Sequence, residues 1–326
     1  MHHYFIINPK AGKRDSSAGI LGQIEAVFEN RPQDTYAVAL TQYAGHATEL
    51  ARDFCLEGRP GRIYGCGGDG TLHEVVAGCA GFHHVAVTVL SAGTGNDFIK
   101  SFSDPAAFSS LKNLIDGEET ALDIISCGEH VANNICSVGL DARIGTDVAR
   151  FKRLPLVGGF GAYILSTIYH VCRGVHAPYT YQIDDQSPIY GNQTLICIAN
   201  GRWYGGGFNP VPQAELNDGL LDVLVIAPVS RLTVAKVVGK FAKGQFRDLP
   251  NLVTHYRCKS ITVTSPEETI FNLDGEAVLG TTATFAVMPK ALRFVHPVGA
   301  TQGLLFEKEV PTAVGGGFGV ANHRQI

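Results

Sequence analysis

The chain has 326 residues, 45% hydrophobic and 17% charged, with a formal net charge of −4. This composition excludes a disordered chain, and the length suits about two domains. The acidic balance excludes the concentrated basic face of a duplex-binding protein, so no nucleic-acid partner is expected. Eight cysteines contain no C-x-x-C pair, which argues against zinc and thioredoxin-like sites. Cys66, Cys136 and Cys197 sit in apolar runs and read as reduced, buried small hydrophobes, which points to the cytoplasm.

In chain order, the first third alternates strand-like and helix-like stretches. "MHHYFIIN" lacks the basic start and long apolar core of a secretory signal, and Tyr4–Ile7 reads as a short buried strand. The turn "NPKAGKRDSS" follows, and then Gly19–Glu29 with helical spacing through Ile20, Ile24, Val27 and Phe28. "TYAVAL" is strand-like, "AGHATELARDFCLEG" is helix-like, "RIYGC" is a strand and "TLHEVVAGCA" a helix. "VAVTVL" is a buried strand leading into the loop "SAGTGND"; a helix from Ala106 to Ile115 and the strand "ALDIIS" come next. Apolar strands alternating with helices predict a mainly parallel sheet covered on both faces.

From about Gly128 the pattern becomes strand-rich: "HVANNICSVG", "TYQID", "QTLICIAN", "LLDVLVIA", "SITVTS", "TIFNLDG" and "TATFAVM", separated by turn residues. Two helices interrupt them, at Ala162–Val171 and Leu232–Phe246, and the reading is a mostly antiparallel β domain. The apolar stretch Leu154–Cys172 is broken by Pro155, glycines and His170, so it reads as a glycine-rich loop and a helix rather than a membrane span. The tail "VGGGFGVANHRQI" shows no period. His83 and His84 read as surface loop, because no partner has metal-ligand spacing.

Three loops carry the chemistry. In "GCGGDGTLHE", glycines permit positive φ and remove the Cβ that would block a phosphate, while the following helix N-terminus favours an anion. Asp69 then stands beside a nucleotide, and Thr71 caps the helix or reaches a phosphate. This is neither a Walker-A nor a G-x-G-x-x-G fingerprint. In "NPKAGK", Pro9 and Gly12 shape the turn and Lys13 supplies a cation. "SAGTGND" adds Thr94, Asn96 and Asp97, and Asp123 follows in "ALDII". Ligands of parallel sheets collect at the carboxyl ends of strands, so these loops are expected to meet at one rim.

"INPKAGK", "GGDGTLHEVVAG", "GTGNDF", "NDGLLDV" and "NLDGE" together resemble the diacylglycerol kinase catalytic-domain family, and most of all its short bacterial lipid kinases of the diacylglycerol and sphingosine kinase type. The GGDGT loop alone is shared with NAD kinases and related to phosphofructokinases. The resemblance implies an α/β nucleotide-binding domain over residues 1–127, completed by about 291–326, and a β-sandwich lipid-substrate domain over 128–290. It implies ATP as donor, Mg²⁺ as cofactor and a lipid hydroxyl as acceptor. Asn8, Pro9, Lys10, Ala11, Gly12, Thr41, Gly67, Gly68, Asp69, Gly70, Thr71, Leu72, Thr94 and Asn96 would serve the nucleotide. Glu276 would be the proton acceptor, and Lys13, Asp97 and Asp123 would form a charged network around Mg²⁺ with Asp69 nearby. A further, mainly structural Mg²⁺ site would use Asp218 and the carbonyls of Glu215 and Leu220. Two departures stand out: Ser91–Ala92 where proline often precedes the glycine, and His73 where asparagine is common. Other readings left open are a NAD-kinase-like small-molecule kinase and a nucleotide-binding regulator without catalysis.

Membrane contact would be peripheral. In "LTVAKVVGKFAKGQFR", Lys236, Lys240, Lys243 and Arg247 share one helical stripe, and Val234, Val237, Val238 and Phe241 fall opposite. The basic side would face an anionic bilayer or only solvent, with the apolar side packed inward. Trp203 stands beside three glycines and would shape a lipid entrance or pack at a bend. Oligomeric state is not legible.

Overall fold

The structure is a computed structural model, and it describes residues 1–12, 15–93, 95–140, 142 and 174–301. Lys13, Thr94, the expected helix at Ala162–Val171, the apolar stretch Leu154–Cys172 and the C-terminal tail lie outside the described residues.

The first half is a parallel sheet ordered β2 (Thr35–Leu40), β1 (His2–Ile7), β3 (Gly61–Gly67), β4 (Val85–Ser91). Helices α1 (Ser17–Phe28), α2 (His46–Leu56) and α3 (Asp69–Cys79) cross between these strands. The all-apolar centres of β1, β3 and β4 are buried, as a sheet covered on both faces requires. Tight helix contact explains one glycine: a Cβ on Gly78 of α3 would lie 2.5 Å from the Thr48 carbonyl of α2.

The expected helix Ala106–Ile115 is two pieces. A 3₁₀ turn, Pro105–Ser109, is capped by Asp104, which accepts the Ala107 amide at 3.2 Å. Ser110 is extended, and α4 (Leu111–Ile115) then starts anew. Proline suits a first helical position, and serines at the join favour capping over propagation.

The second half is antiparallel. Its strands are β5 (Glu118–Cys127), β6 (His130–Ala132), β7 (Ile135–Gly139), β8 (Ala177–Ile183), β9 (Ile189–Gln193), β10 (Leu195–Ala199), β11 (Leu221–Ile226), β12 (Val253–Cys258), β13 (Ser260–Leu273) and β14 (Glu276–His296). "SITVTS" and "TIFNLDG" are one strand, β13, with an irregularity between Thr264 and Thr269. "HVANNICSVG" is two strands, parted at Asn133–Asn134. Strands β9 and β12 were not anticipated.

Strand β14 joins the halves. Its start pairs with β13 around the Asp274–Gly275 turn. Its end pairs in parallel with β4 (Arg293 with Ala86, Phe294 with Val87) and places Leu292 and Phe294 in the first core. A shift between Met288 and Leu292, at Lys290 with φ 53°, redirects the strand from one half to the other.

Helix α5 (Arg231–Phe241) is shorter than the expected Leu232–Phe246. Gly244, at φ +67°, follows its end, and a Cβ there would meet the Pro212 ring at 2.2 Å. Lys243 and Arg247 therefore fall outside α5, and the four-residue basic stripe reduces to Lys236 and Lys240 within it. The seven cysteines among the described residues are buried and not disulfide-bonded. Among those residues, no helix is long and apolar enough to cross a membrane.

Candidate functional site: a rim of glycine loops facing the second half

The loops after β1, β3 and β4 meet. Gly12, at φ +80°, is so close to the β4 loop that a Cβ would lie 2.7 Å from the Ala92 carbonyl. Gly67 accepts the amides of Ala92 and Gly93 at 2.9 and 3.1 Å. Gly68 and Gly93 touch back to back, since a Cβ on Gly93 would lie 2.6 Å from the Gly68 Cα. Asn8 donates its side-chain amide to Thr71 Oγ at 3.1 Å and accepts the Lys10 amide on Oδ1 at 3.0 Å. Thr41 joins the same rim through its amide, which donates to the Ile7 carbonyl at 2.8 Å.

Most of the expected nucleotide residues are thus brought together: Asn8 to Gly12, Thr41, Gly67 to Thr71 and Asn96. Leu72 is an exception. Its side chain is in the core and its amide is held by Gly68. Asn96 carries an unsatisfied feature: Nδ2 donates to the Gly93 carbonyl at 3.0 Å, while the buried Oδ1 has no partner among the described residues. An orphaned acceptor beside two bare glycines fits a bound molecule with hydroxyl or amino donors.

Asp69 begins α3. It accepts the Phe98 amide on Oδ1 at 3.1 Å. A Cβ on Gly95 would lie 2.7 Å from its Oδ2, so glycine keeps that approach open. Burial pushes the Asp69 carboxyl above the usual carboxylate range; the charges of Asp97 and Asp274 add to this, against the amides of Asp97 and Phe98. A half-buried carboxylate on which two other acids act favours a cation, and a Mg²⁺ carried with nucleotide phosphates fits this donor set.

Asp97, buried, turns to the second half. Oδ1 accepts from Lys100 Nζ at 2.5 Å and Oδ2 from the Gly206 amide at 2.6 Å. Lys100 Nζ also lies 5.8 Å from the centre of the Trp203 ring, so the lone tryptophan packs at this seam. Gly205, Gly206 and Gly207 all have positive φ, which this tight loop requires.

Asp123 does not reach the rim as a free ligand. It is 1% exposed; Oδ1 accepts the Lys290 amide and Oδ2 the Gly219 amide, both at 2.7 Å. Its carboxylate ties the Leu216–Gly219 loop to the bend of β14. Among the described residues its carboxylate thus serves the join between the halves, with one backbone donor on each oxygen.

The second implied metal site also fits poorly. Asp218 Oδ1 accepts the Leu220 amide at 2.9 Å, and Oδ2 pairs with Arg257. Arg257 Nε lies 3.9 Å from Asp222 Oδ1, and the Glu215 side chain is exposed. A guanidinium already supplies the cation at that carboxylate.

The aspartate of "NLDGE", Asp274, does more than precede Glu276. It is the main anchor across the seam. With φ 53°, it makes the two-residue turn between β13 and β14 and leads to Glu276. Its carboxylate accepts the amides of Asn133 at 2.7 Å, Asn134 at 3.1 Å and Ile135 at 2.8 Å. Oδ2 also lies 3.2 Å from His73 Nδ1 on α3. Glu276 therefore starts beside the helix that Asp69 begins, and its charge acts on His73. The Glu276 side chain is exposed and has no hydrogen bond among the described residues. The available signal was the acid before the glycine in "NLDGE", whose partners, Asn133–Ile135, lie far off in sequence.

An apolar cavity of about 110 Å³, partly open to solvent, lies under α5, lined by residues including Leu195, Ile226, Val234 and Phe241. Tyr204 and Phe208 also line it, and their loop carries the Gly206 contact to Asp97.

A parallel α/β half with glycine rims, joined through one long strand to an antiparallel half that delivers a carboxylate, defines a nucleotide-dependent kinase architecture. Residues 2–127 match the diacylglycerol kinase catalytic domain, and residues 134–296 match the YegS C-terminal NAD kinase beta sandwich-like domain. The chain belongs to this YegS-type family of diacylglycerol-kinase-like lipid kinases. It is 28% identical over 299 residues to a Pseudomonas aeruginosa protein named "Probable lipid kinase YegS-like", covering 89% of this chain and 92% of that one. A Pectobacterium atrosepticum protein of the same name is 25% identical over 299 residues, covering 88% and 93%. A Bacillus anthracis crystal structure named as a diacylglycerol kinase shares the fold at TM-score 0.66 and 19% identity, covering 92% of this chain and 98% of that one.

Proposed function

We propose that the chain transfers the terminal phosphoryl group of ATP to a lipid hydroxyl in the gap between its two halves, with Glu276 as the acceptor's base. The reading rests on one observation: Asp274 fixes the Glu276 turn to α3 at 3.2 Å from His73, one helical turn from Asp69. Family membership supports a kinase with a lipid substrate.

Phosphoryl transfer needs alignment and charge neutralisation more than covalent chemistry. Mg²⁺, when bound, would neutralise charge on the donor phosphates, and Asp69 would help to hold it. The glycine rim would hold the donor, with Asn96 Oδ1 available to a nucleotide donor group. Lys13 would add a cation at the same loop, and Thr94 would complete it. Glu276 accepts the hydroxyl proton as the new O–P bond forms. The apolar cavity under α5 would take acyl chain, and Lys236 and Lys240 would lie toward an anionic membrane surface at the cytoplasmic face.

The test is incubation with labelled ATP, Mg²⁺ and a total bacterial lipid extract, beside a parallel reaction with NAD. Label in lipid that disappears in Glu276→Gln, with ATP binding retained, is the expected result. Label only in NADP, or in neither product, overturns the reading.

A further inference from the structure

His73 stands where the resemblance has asparagine, and the mechanism above leaves it unused. It lies four residues after Asp69 on α3, so the two side chains share one helical face, the one turned to the second half. Its side chain is 12% exposed, and Nδ1 lies 3.2 Å from Asp274 Oδ2. Asp274 holds the β6–β7 link by three consecutive amides, and Glu276 follows two residues later. One imidazole thus connects the helix of the glycine rim to the turn that carries the base.

We propose that His73 is a positioning residue whose imidazolium clasps the Asp274–Gly275 turn onto α3 and so holds Glu276 in register with the phosphoryl group. The inference rests on the reading of Glu276 as the base. The charged groups that act on His73 are Asp274 and Glu276 from the hairpin and Glu74 from its own helix; the β6–β7 link packed on the same turn presents backbone amides. Burial opposes charge on the ring, but the Asp274 hydrogen bond and these three carboxylates outweigh it and raise His73 above its ordinary value.

The sign of the pH effect follows. A group whose proton is held more tightly in the folded protein contributes fully below the ordinary histidine value of about 6.5. That contribution is lost as pH rises through the higher folded value. The clasp then falls from an ion pair to a neutral hydrogen bond, and turnover declines on the alkaline side. Asparagine would keep a neutral hydrogen bond without titrating.

The experiment uses the full chain with Mg²⁺, ATP and a total bacterial lipid extract in detergent micelles, measured from acid to alkaline pH. His73→Ala should lower the maximal rate about tenfold, equivalent to about 1.4 kcal/mol, and leave the KM for ATP unchanged. His73→Asn should hold the wild type's alkaline-side rate at every pH, above that of His73→Ala, and lose the alkaline decline. An alkaline decline that persists in His73→Asn, or a wild-type rate in His73→Ala, overturns the clasp; so does a raised KM for ATP with an unchanged maximal rate. A second readout needs no lipid: amide exchange at Asn133, Asn134 and Ile135 should quicken about tenfold in folded His73→Ala, the same free-energy change read differently. Unchanged exchange overturns the clasp. Absence of lipid labelling by the wild type defeats the kinase reading instead, while the exchange result still decides the clasp.

Discussion

The rim of the first half and the seam of the second treat their carboxylates oppositely. At the rim, Asp69 is half-buried near other acids, and its proton affinity rises despite two amides. At the seam, Asp123 has a backbone amide on each oxygen, and Asp274 has three amides and a histidine. Asp123 and Asp274, whose donors come from across the seam, build the structure; Asp69, partly exposed among other acids, and Glu276, exposed, are available for chemistry. The lesson is that a strand-end acid in sequence has no role until its donors are counted.

The largest effect that would break this comparison is at Glu276. Glu276→Gln should lower phosphoryl transfer by about 10²–10⁴-fold, the usual contribution of a general base. Its melting temperature should stay at the wild-type value, because the side chain is exposed. Asp69→Asn should cut transfer about tenfold or more, while stability stays level or rises. The ionised Asp69 costs stability above the ordinary carboxylate range, and that cost falls as pH drops through its raised folded value; the amide removes it. Asp123→Asn should do the reverse. One of its two charge-assisted bonds, worth about 1.5–3 kcal/mol, is lost and an amide is left facing an N–H, so denaturant unfolding should show a loss of about 2–4 kcal/mol with transfer little changed. Loss of activity without loss of stability in Asp123→Asn would erase the distinction. The smallest effect concerns α5: Lys236→Ala with Lys240→Ala should weaken salt-sensitive binding to anionic vesicles by about thirtyfold, at about 1 kcal/mol per lysine, and leave neutral vesicles unaffected.

Much of the rim was legible because its glycines are sterically required. Gly67 shows why: a Cβ there would lie 2.2 Å from Thr71 Oγ, so the motif records a close approach within one short segment. Most of the parallel half was legible for a similar reason, since β1, β3 and β4 are buried and read as largely apolar runs. The seam was not, because its bonds join residues far apart in sequence: Asp274 with Asn133–Ile135, Asp97 with Gly206, Asp123 with Gly219. Strands β9 ("IYGNQ") and β12 ("VTHYRC") escaped because their exposed, polar positions give weak patterns. The length of α5 was overestimated because its basic spacing continues past a glycine that must turn back against Pro212. His73 was visible only as an exception to a motif; its partner supplies the meaning.

The most direct measurement is single-turnover transfer of labelled phosphate from ATP to a lipid extract by wild type and Glu276→Gln, with ATP affinity measured on the same preparations. The account predicts equal ATP affinity and transfer lowered by at least about 10²-fold in the variant. Transfer at the wild-type rate would show that the carboxylate delivered by the Asp274 turn takes no part in the reaction.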